Sequence, residues 1–527
     1  MTNARIPVLR NQTLITLSVS VLAILIAWQL AQQITADDMH SLIYVAAGFV
    51  AFAAVVTILR NWRSGVYMFF FWMLFEDLFR KYMGNGPALF FGKDVLAGLV
   101  YISFFTAVRR GSEKPFRPPF LLFLGLFFLL GATQVFNPNS PHILYGLLGF
   151  KTYFYYIPMM YVGYALIRSD GDVRKLLVWN AAVSALIAGL GIVQAILGNS
   201  FLNPAKLAPE LQDLGNLSKI TPLTNQIFNL PDSVFVSAGR FDQFLILAFI
   251  LAIATAGYLL LSNLPGRKIV FLSTGTITVA TLLCGNRGAF MYVLMSALAL
   301  IGGFLWGAPW RQRQAHRMIK MVRRSAIAGG IGLALILSLF PQEAGSRIAY
   351  YTETLLPDSS AYQMGDRTWD YPIKNLLSVF NDRNWFLGNG IGTASLGGQY
   401  VAKLIGKPPI SIGVEEGFGT LIVEMGIIAP FIWLLWTGSL LYHSWGITSR
   451  LRQTRFFPLA FAIFWFAFLL FYPMTYGGLT AYQNYTNNIY LWLLVGILFR
   501  LPEIQVSTPN FMGATPAKAR TRGGFQF

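Results

Sequence analysis

Charged residues are scarce in this chain of 527 amino acids. Only 12% of its residues are Asp, Glu, Lys or Arg, whereas an average soluble domain has about 25%. The chain therefore lacks the charge that would cover a water-exposed surface, and 55% of its residues are hydrophobic. Apolar runs long enough to cross a bilayer as a helix recur from one end to the other. This composition predicts a polytopic membrane protein.

Cysteine and histidine are nearly absent. The single Cys284 excludes a disulfide framework and a cysteine-based metal site. The four histidines are scattered and show no metal-ligand spacing; they are His40, His142, His316 and His443. We therefore expect no cofactor and no bound metal, although a site built only from carboxylates stays open. The chain also has no internal repeat.

Apolar runs separated by polar breaks predict an all-α bundle of about fourteen transmembrane helices within residues 1–500. The first run, Leu14 to Leu30, follows Arg5 and Arg10 as in a signal peptide. We interpret it as a retained helix, because no small-residue cleavage site follows it. Residues 501–527 are rich in Pro, Gly, Lys and Arg and predict a disordered tail. The predicted spans lie near 12–33, 40–59, 64–79, 92–108, 119–136, 145–166, 176–198, 241–262, 269–284, 288–307, 325–341, 416–440, 457–476 and 485–500.

Acidic residues are rare in alternate loops, and those loops hold most of the 40 Lys and Arg residues. This positive-inside bias predicts cytoplasmic loops, cytoplasmic termini and a multi-pass protein of a bacterial inner membrane. The basic clusters, such as Arg311 to Arg324, then act as topology signals, and the net charge of +18 does not indicate nucleic-acid binding. Residues 199–240 and 342–414 become long periplasmic loops. The second loop has too many tyrosines and tryptophans for a disordered linker, so we expect it to fold onto the outer mouth of the bundle and to be partly helical.

Ionisable residues at membrane depth are costly and mark functional sites. Arg240 opens one predicted span, and Arg287 occupies the short turn GNRGAF between two others. The planar guanidinium suits phosphate groups. Lys151 lies in an apolar, aromatic run, and Lys93 and Asp94 open another span. Other interpretations are that Lys93 pairs with Asp94, that Arg240 pairs with Asp242, and that Lys151 extends to the interface.

Three glutamates mark the start of the predicted span 416–440. Glu416, Thr420 and Glu424 share one helix face, and Glu424 lies ~12 Å from Glu416 along the axis. Glu415 and Glu416 are candidate catalytic bases or caps of the helix start. Glu424 is a supporting residue that acts in catalysis or neutralises a buried cation.

The second long loop contains GDRTWDYP, with Arg367, and the glycine-rich run GNGIGTAS. A glycine-rich run can bring backbone N–H groups close to an anion. We expect Arg367 to join Arg240 and Arg287 in binding a diphosphate.

Taken in order, these segments resemble the O-antigen ligase and polysaccharide polymerase superfamily of bacterial inner membranes. The resemblance covers residues 237–430. It rests on Arg240 before a span, the Arg-Gly-Ala of GNRGAF, the Arg-Trp element and GNGIG of the loop, and the helix start that ends in E-M-G-I. Before residue 237, only KDVL and GFKTYFYYIP agree beyond hydropathy.

The resemblance implies an enzyme that transfers a glycan from a polyprenyl diphosphate carrier to a second lipid-linked chain or to a lipid core. Arginines would stabilise the departing diphosphate without a metal. Ligases of this family place a histidine before the E-x-G-I helix, where this chain has Glu415 and Glu416, which favours a polymerase of exopolysaccharide, capsule or O-antigen. A flippase and a chain-length regulator are the expected protein partners. The alternatives are an O-antigen ligase, a peptidoglycan-type polymerase, a structural assembly protein, and a transporter or flippase of lipid-linked oligosaccharide.

Overall fold

The computed structural model describes residues 48, 52–204, 207, 211, 217–310, 312–406 and 413–507. The described chain is predominantly helical, which confirms the all-α prediction. The predicted span 12–33, most of 40–59, and residues 508–527 of the tail lie outside the described residues. The helices are α1 Trp62–Met83, α2 Pro87–Arg109, α3 Leu121–Gln134, α4 Ile143–Phe154, α5 Met159–Leu166, α6 Asp170–Leu197, α7 Ala238–Leu261, α8 Arg267–Leu283, α9 Arg287–Gly307, α10 Gln312–Leu339, α11 Pro341–Leu355, α12 Tyr371–Ser378, α13 Gly398–Leu404, α14 Gly417–Met425, α15 Ile428–Arg450, α16 Phe457–Leu469, α17 Thr475–Gly477, α18 Thr480–Gln483 and α19 Tyr485–Ser507.

The chain forms two compact units. The smaller unit comprises Met1–Phe71 and Asp94–Thr106. In it the Ser103 hydroxyl donates to the Ile58 carbonyl at 3.0 Å. The rings of Trp62 and Phe104 meet edge to face, with centroids 5.1 Å apart.

The larger unit comprises Trp72–Lys93 and Ala107–Phe527. Its core surrounds α7, whose residues are almost all buried and which packs against α6, α8, α9 and α16. Leu, Ile, Ala and Phe fill α7 on every face, the pattern of a helix enclosed by other helices. Elsewhere in this unit α19 packs on α5, and α3 packs on α15.

Among the described residues, six helices are long and apolar enough to cross a membrane. They are Leu89–Arg109, Asp170–Leu197, Ala238–Leu261, Arg287–Gly307, Phe457–Gly477 and Tyr485–Val506. Ile327–Leu339 and Pro341–Leu355, which meet at 117°, make a seventh if they form one broken span. These helices indicate a multi-pass membrane protein. The predicted number of about fourteen spans is not confirmed.

Two predicted spans are interrupted, and a third continues but changes its helical form. The span 145–166 divides into α4 and α5 on either side of residues 155–158, which include Pro158. The span 416–440 divides into α14 and α15 at Gly426, whose φ of 81° ends α14. In 457–476, α16 passes into a π-helical turn, Leu470–Met474, that contains Pro473. Proline lacks a backbone donor and glycine readily adopts the left-handed conformation, so both interrupt an apolar run that hydropathy alone reads as continuous.

The two long polar segments are folded where the structure describes them. The first contains an antiparallel hairpin of β1 Ser218–Ile220 and β2 Ile227–Asn229, in which Lys219 faces Phe228. The second contains α12, α13 and the π-helical turn Asp366–Asp370, so it is partly helical as predicted. At the C-terminal end of the described chain, α19 continues to Ser507. Residues 501–507 are therefore helical.

Candidate functional site

Four charged side chains interrupt the apolar sequence of α1. Glu76, Asp77, Arg80 and Lys81 are each at most 3% exposed. Their spacing places Glu76 beside Arg80, and Asp77 beside Arg80 and Lys81, along the helix. A buried charge is tolerated only when an opposite charge and hydrogen bonds compensate its lost hydration. The partners of these four side chains therefore define a buried polar centre.

Asp77 joins two arginines. Its Oδ1 lies 2.6 Å from Nη1 of Arg80, and its Oδ2 lies 2.7 Å from Nη1 of Arg240. The carboxylate also accepts the backbone N–H of Val236 at 3.3 Å. Arg240, at the start of α7, thus pairs with Asp77 on α1, while Asp242 accepts a hydrogen bond from Asn286.

Lys93 pairs with Glu76, the other buried acid of α1. Its Nζ lies 2.8 Å from Oε1 of Glu76 and donates to the Phe90 carbonyl at 2.6 Å. The ammonium also faces the rings of Phe90 and Tyr485, at 4.6 and 4.7 Å from their centroids. Asp94, which sequence analysis grouped with Lys93, is buried in the smaller unit.

A cavity of about 550 Å³ opens beside these ion pairs. Four cationic residues contribute to its wall, whereas Asp77 and Glu76 lie behind them and no carboxylate belongs to the described lining. A concave site lined by one sign of charge concentrates ions of the opposite sign. The cavity is therefore suited to an anion. Its charged and polar lining residues are Arg80, Lys93, Lys151, Arg240, Tyr145, Thr152, Tyr156, Thr393, Ser395, Gln399, Tyr400, Gln483, Asn484 and Tyr485.

Two lining tyrosines have unused hydroxyl groups. The Tyr145 and Tyr485 hydroxyls are buried and have no hydrogen-bond partner among the described residues. Tyr145 is 1% exposed and Tyr485 is 8% exposed. An unpaired buried polar group is costly unless a ligand or water satisfies it. Two of the cavity-lining residues therefore carry hydroxyls whose hydrogen-bonding capacity is not satisfied within the described protein.

The glycine-rich run forms one wall through close backbone packing. Gly392 has a φ of 92°, and a Cβ there would lie 2.0 Å from the Tyr145 carbonyl oxygen. Only glycine permits both the left-handed conformation and this approach to α4. Several N–H groups of the run are already bonded within the protein, including Asn389 to the Val423 carbonyl and Ala394 to Glu424. Gly392 therefore serves close packing, and the N–H groups bonded within the protein are not free to bind an anion.

Glu424 stabilises this wall of the cavity through hydrogen bonds. Its Oε1 accepts the Ala394 N–H at 2.9 Å and the Ser395 hydroxyl at 2.8 Å, and its Oε2 accepts the Tyr153 hydroxyl at 2.7 Å. These contacts join α14, the glycine-rich run and α4. Glu424 supports the cavity from behind through neutral donors, and these donors take the place of the buried cation that is its predicted alternative partner.

Tyr400 on α13 closes the cavity toward α1. Its hydroxyl accepts from Arg80 Nη2 and Asn85 Nδ2, each at 2.6 Å, and its ring stacks on Phe90 at a centroid distance of 4.5 Å. Lys151 lies on the same side, with its Nζ 5.2 Å from the centroid of Phe90. Residues from α1, α2, α4 and α13 thus meet around one aromatic ring.

Arg287 and Arg367 do not belong to the cavity lining. Nη1 of Arg287 donates to the Gln363 side chain at 2.9 Å, and its guanidinium lies 5.3 Å from the Tyr350 ring centroid. Arg367 is exposed on its π-helical turn, 5.0 Å from the ring centroid of Tyr371. The structure brings Arg240, Lys93 and Lys151 together and places these two arginines elsewhere.

The paired acids at the start of α14 differ from each other. Glu416 is buried and its carboxylate caps the helix, accepting the N–H groups of Phe418 and Gly419. Glu415 is exposed, and its carboxylate raises the pKa of the neighbouring Tyr371 hydroxyl. The capping interpretation thus describes Glu416, and Glu415 is the more accessible carboxylate.

Glu76, Asp77 and Arg80 organise the cavity but are not among the site residues predicted from the sequence. The available signal was the segment FEDLFRKY, where four charges interrupt an apolar helix. Their partners Arg240 and Lys93 lie on other helices, so no local pattern could assign the pairs. Among the described residues, no group of three or more His, Cys, Asp or Glu side chains could hold a metal ion.

Comparison with known proteins gave no assignment. No family model matches the chain, and no curated protein or solved structure matches it either.

Proposed function

We propose that this protein is a glycosyltransferase that joins polyprenyl-diphosphate-linked oligosaccharide units on the periplasmic face of a bacterial inner membrane. The observation that carries the proposal is the cavity with four cations and no carboxylate in its described lining. The order of segments between residues 237 and 430, which resembles a lipid-linked glycan polymerase, supports it.

The charges around the cavity suit a diphosphate. Arg80, Lys93, Lys151 and Arg240 supply four positive charges, and Asp77 and Glu76 pair with three of them. The surplus of positive charge complements a dianionic diphosphate diester. Arginine gives a planar set of donors to phosphate oxygens, and such donors stabilise the charge that develops as a diphosphate leaves.

The neutral part of the lining suits a sugar. Hydroxyl and amide groups of Thr393, Ser395, Gln399, Gln483 and Asn484 lie beside the cations. Sugar hydroxyls exchange hydrogen bonds with such groups, and tyrosine rings offer flat apolar faces. The cavity therefore combines a cationic part for a diphosphate with a polar part for the attached sugar.

In the proposed reaction, the acceptor hydroxyl attacks the anomeric carbon of the donor. A new glycosidic C–O bond forms as the C–O bond to the diphosphate breaks, and polyprenyl diphosphate leaves with the electron pair. Direct displacement inverts the anomeric configuration. The acceptor proton passes to a base, as in glycosidases in which a carboxylate activates the attacking oxygen.

Glu415 remains the proposed base. It is exposed at the start of α14, and the other end of that helix holds the cavity wall through Glu424. The two glutamates are ~14 Å apart along the helix axis. The proposal therefore requires the donor to bind with its anomeric carbon directed toward the start of α14.

The proposed topology follows the distribution of basic residues, with both termini cytoplasmic and residues 199–240 and 342–414 in the periplasm. Glycan donors in that compartment arrive already linked to lipid. A flippase would deliver the donor, and a chain-length regulator would set the extent of polymerisation.

The test is to incubate the purified protein in proteoliposomes with lipid-linked repeat units and no energy source. The proposal predicts chains of two or more repeats and one released polyprenyl diphosphate for each new bond, as measured by mass spectrometry. Arg240→Ala serves as the inactive control. Movement of units across the bilayer without new bonds would show a transporter, and transfer only to a lipid core would show a ligase; either result contradicts the polymerase.

A further inference from the structure

We propose that Asp77 is a positioning residue that fixes the relative geometry of Arg80 and Arg240 at the cavity. This inference rests on the proposed function, because the two arginines are assigned there to the donor diphosphate. It adds a role for an acid that does not line the cavity.

The geometry of Asp77 is that of a bridge. Each of its two oxygens bonds to a different guanidinium, at 2.6 Å to Arg80 and 2.7 Å to Arg240. The side chain of Asp77 is 0% exposed, so water does not compete for these bonds. Arg80 lies one helical turn further along α1, whereas Arg240 lies on α7. One carboxylate therefore sets the position of one guanidinium relative to the other.

Arg80 has more hydrogen-bond partners besides Asp77 than Arg240 has among the described residues. Arg80 also donates to Asn85 and Tyr400 and is 2% exposed as a side chain. The Arg240 side chain is 22% exposed, and its guanidinium also lies 5.1 Å from the centroid of the Tyr485 ring. Asp77 is thus the charged contact that fixes Arg240, while the rest of that guanidinium stays available to a ligand.

Charge and position predict opposite effects when Asp77 is neutralised. Removing its negative charge makes the cavity more positive, and a charge effect alone would strengthen the binding of every anion. A positioning role predicts a loss of discrimination instead, because a diphosphate engages two guanidiniums at a fixed separation, whereas a monophosphate can engage one.

The experiment compares full-length wild type with Asp77→Asn and Asp77→Glu in nanodiscs. The probes are undecaprenyl diphosphate and undecaprenyl monophosphate, and the readout is the ratio of their Kd values. We expect wild type to prefer the diphosphate and Asp77→Asn to reduce that preference at least about tenfold, because a hydrogen bond to a charged group is lost. Asp77→Glu, which keeps the carboxylate, should retain part of the preference.

Asp232→Asn is the matched control. Asp232 pairs with Lys81 at 2.9 Å, both side chains are 1% exposed, and neither belongs to the cavity lining. Its loss should reduce the amount of folded protein without changing the ratio. An unchanged ratio in Asp77→Asn, or an equal loss in Asp232→Asn, would overturn the inference.

Turnover provides a second readout. With lipid-linked repeat units, Asp77→Asn should lower kcat at least about tenfold, with a smaller change in KM, because misplacement by about 1 Å can cost ~100-fold in rate. Retention of wild-type kcat would count against positioning. If the wild type discriminates between the lipids but forms no polymer, the proposed function fails while the Kd ratio still tests Asp77.

Discussion

The arginines at the cavity and the arginines of the outer segments differ in what holds them. Arg80 and Arg240 share the buried carboxylate of Asp77 and line a common space. Arg287 and Arg367 lie against tyrosine rings outside that lining. Arg80, Arg240 and Arg287 all occur near the ends of apolar runs, so their position in the sequence does not separate Arg287 from the cavity arginines. The presence of a buried acidic partner does.

The cavity and the start of α14 are two separate regions in which the chemistry could take place. The cavity supplies cations and neutral donors, whereas the start of α14 supplies the accessible carboxylate of Glu415. A glycosyltransferase of the proposed kind needs both a site for the leaving diphosphate and a base. The following changes test whether the two regions act on one substrate.

The largest effect is expected from Glu415→Gln, which keeps the shape of the side chain and removes the base. The loss of a general base lowers the rate ~100- to 10,000-fold. Initial rates of polymer formation, normalised to membrane-inserted protein, provide the measurement. Glu416→Gln is the control, because Glu416 caps α14. A Glu415→Gln variant that keeps more than about a tenth of the rate would place the base elsewhere.

Arg240→Ala should have the next largest effect. The loss of rate in Arg240→Ala should be larger than the loss in Arg287→Ala. Removing a donor that stabilises developing charge costs ~100- to 1,000-fold in kcat. Arg240→Lys should restore little, since an ammonium lacks the planar donors of a guanidinium. The three rates are compared at equal protein level. If Arg287→Ala lost as much rate as Arg240→Ala, the proposed difference between arginines in the cavity lining and arginines outside it would be wrong.

Gly392→Ala should disrupt the cavity wall. The new Cβ would lie 2.0 Å from the Tyr145 carbonyl oxygen at a φ of 92°, and overpacking with backbone strain costs ~2–4 kcal/mol. Thermal unfolding in detergent measures the loss. Gly406→Ala is the control, because Gly406 also has a positive φ, 64°, but no atom within 4 Å of its Cβ position. Equal destabilisation by the two changes would show that close packing at Gly392 is unimportant.

Lys151→Met should have the smallest effect. Lys151 is partly exposed, so the change should leave the unfolding temperature near that of wild type. Loss of one charged contact should weaken the binding of undecaprenyl diphosphate about tenfold, at ~1.5 kcal/mol for a hydrogen bond to a charged group. Titration in nanodiscs at two salt concentrations measures the change. Unaltered affinity would remove Lys151 from the anion site.

Much of the helical framework is predictable from hydropathy. The run 269–284 corresponds to α8 Arg267–Leu283, and 288–307 corresponds to α9 Arg287–Gly307. The turn between them was also recognised as a special position, and Asn286 caps α9 there by accepting the Gly288 N–H. Long apolar periodicity and local capping are properties of the nearby sequence, which is why they can be read without the fold.

The cavity was only partly predictable, because its charges are paired between distant segments. Arg240, Lys93 and Lys151 stood out as charges in apolar surroundings. Their grouping depends on acids of α1 and on the approach of the glycine-rich run to α4. Nothing local distinguishes Arg240, which meets Asp77, from Arg287, which meets Gln363. Tertiary packing makes that choice.

The most direct test of the account is to locate bound undecaprenyl diphosphate by electron cryo-microscopy of the full-length protein in nanodiscs. The account predicts phosphate density in the cavity within hydrogen-bonding distance of Arg240 and Lys151, and loss of that density in Arg240→Ala. Phosphate density beside Arg287 and Arg367, with an empty cavity, would contradict it.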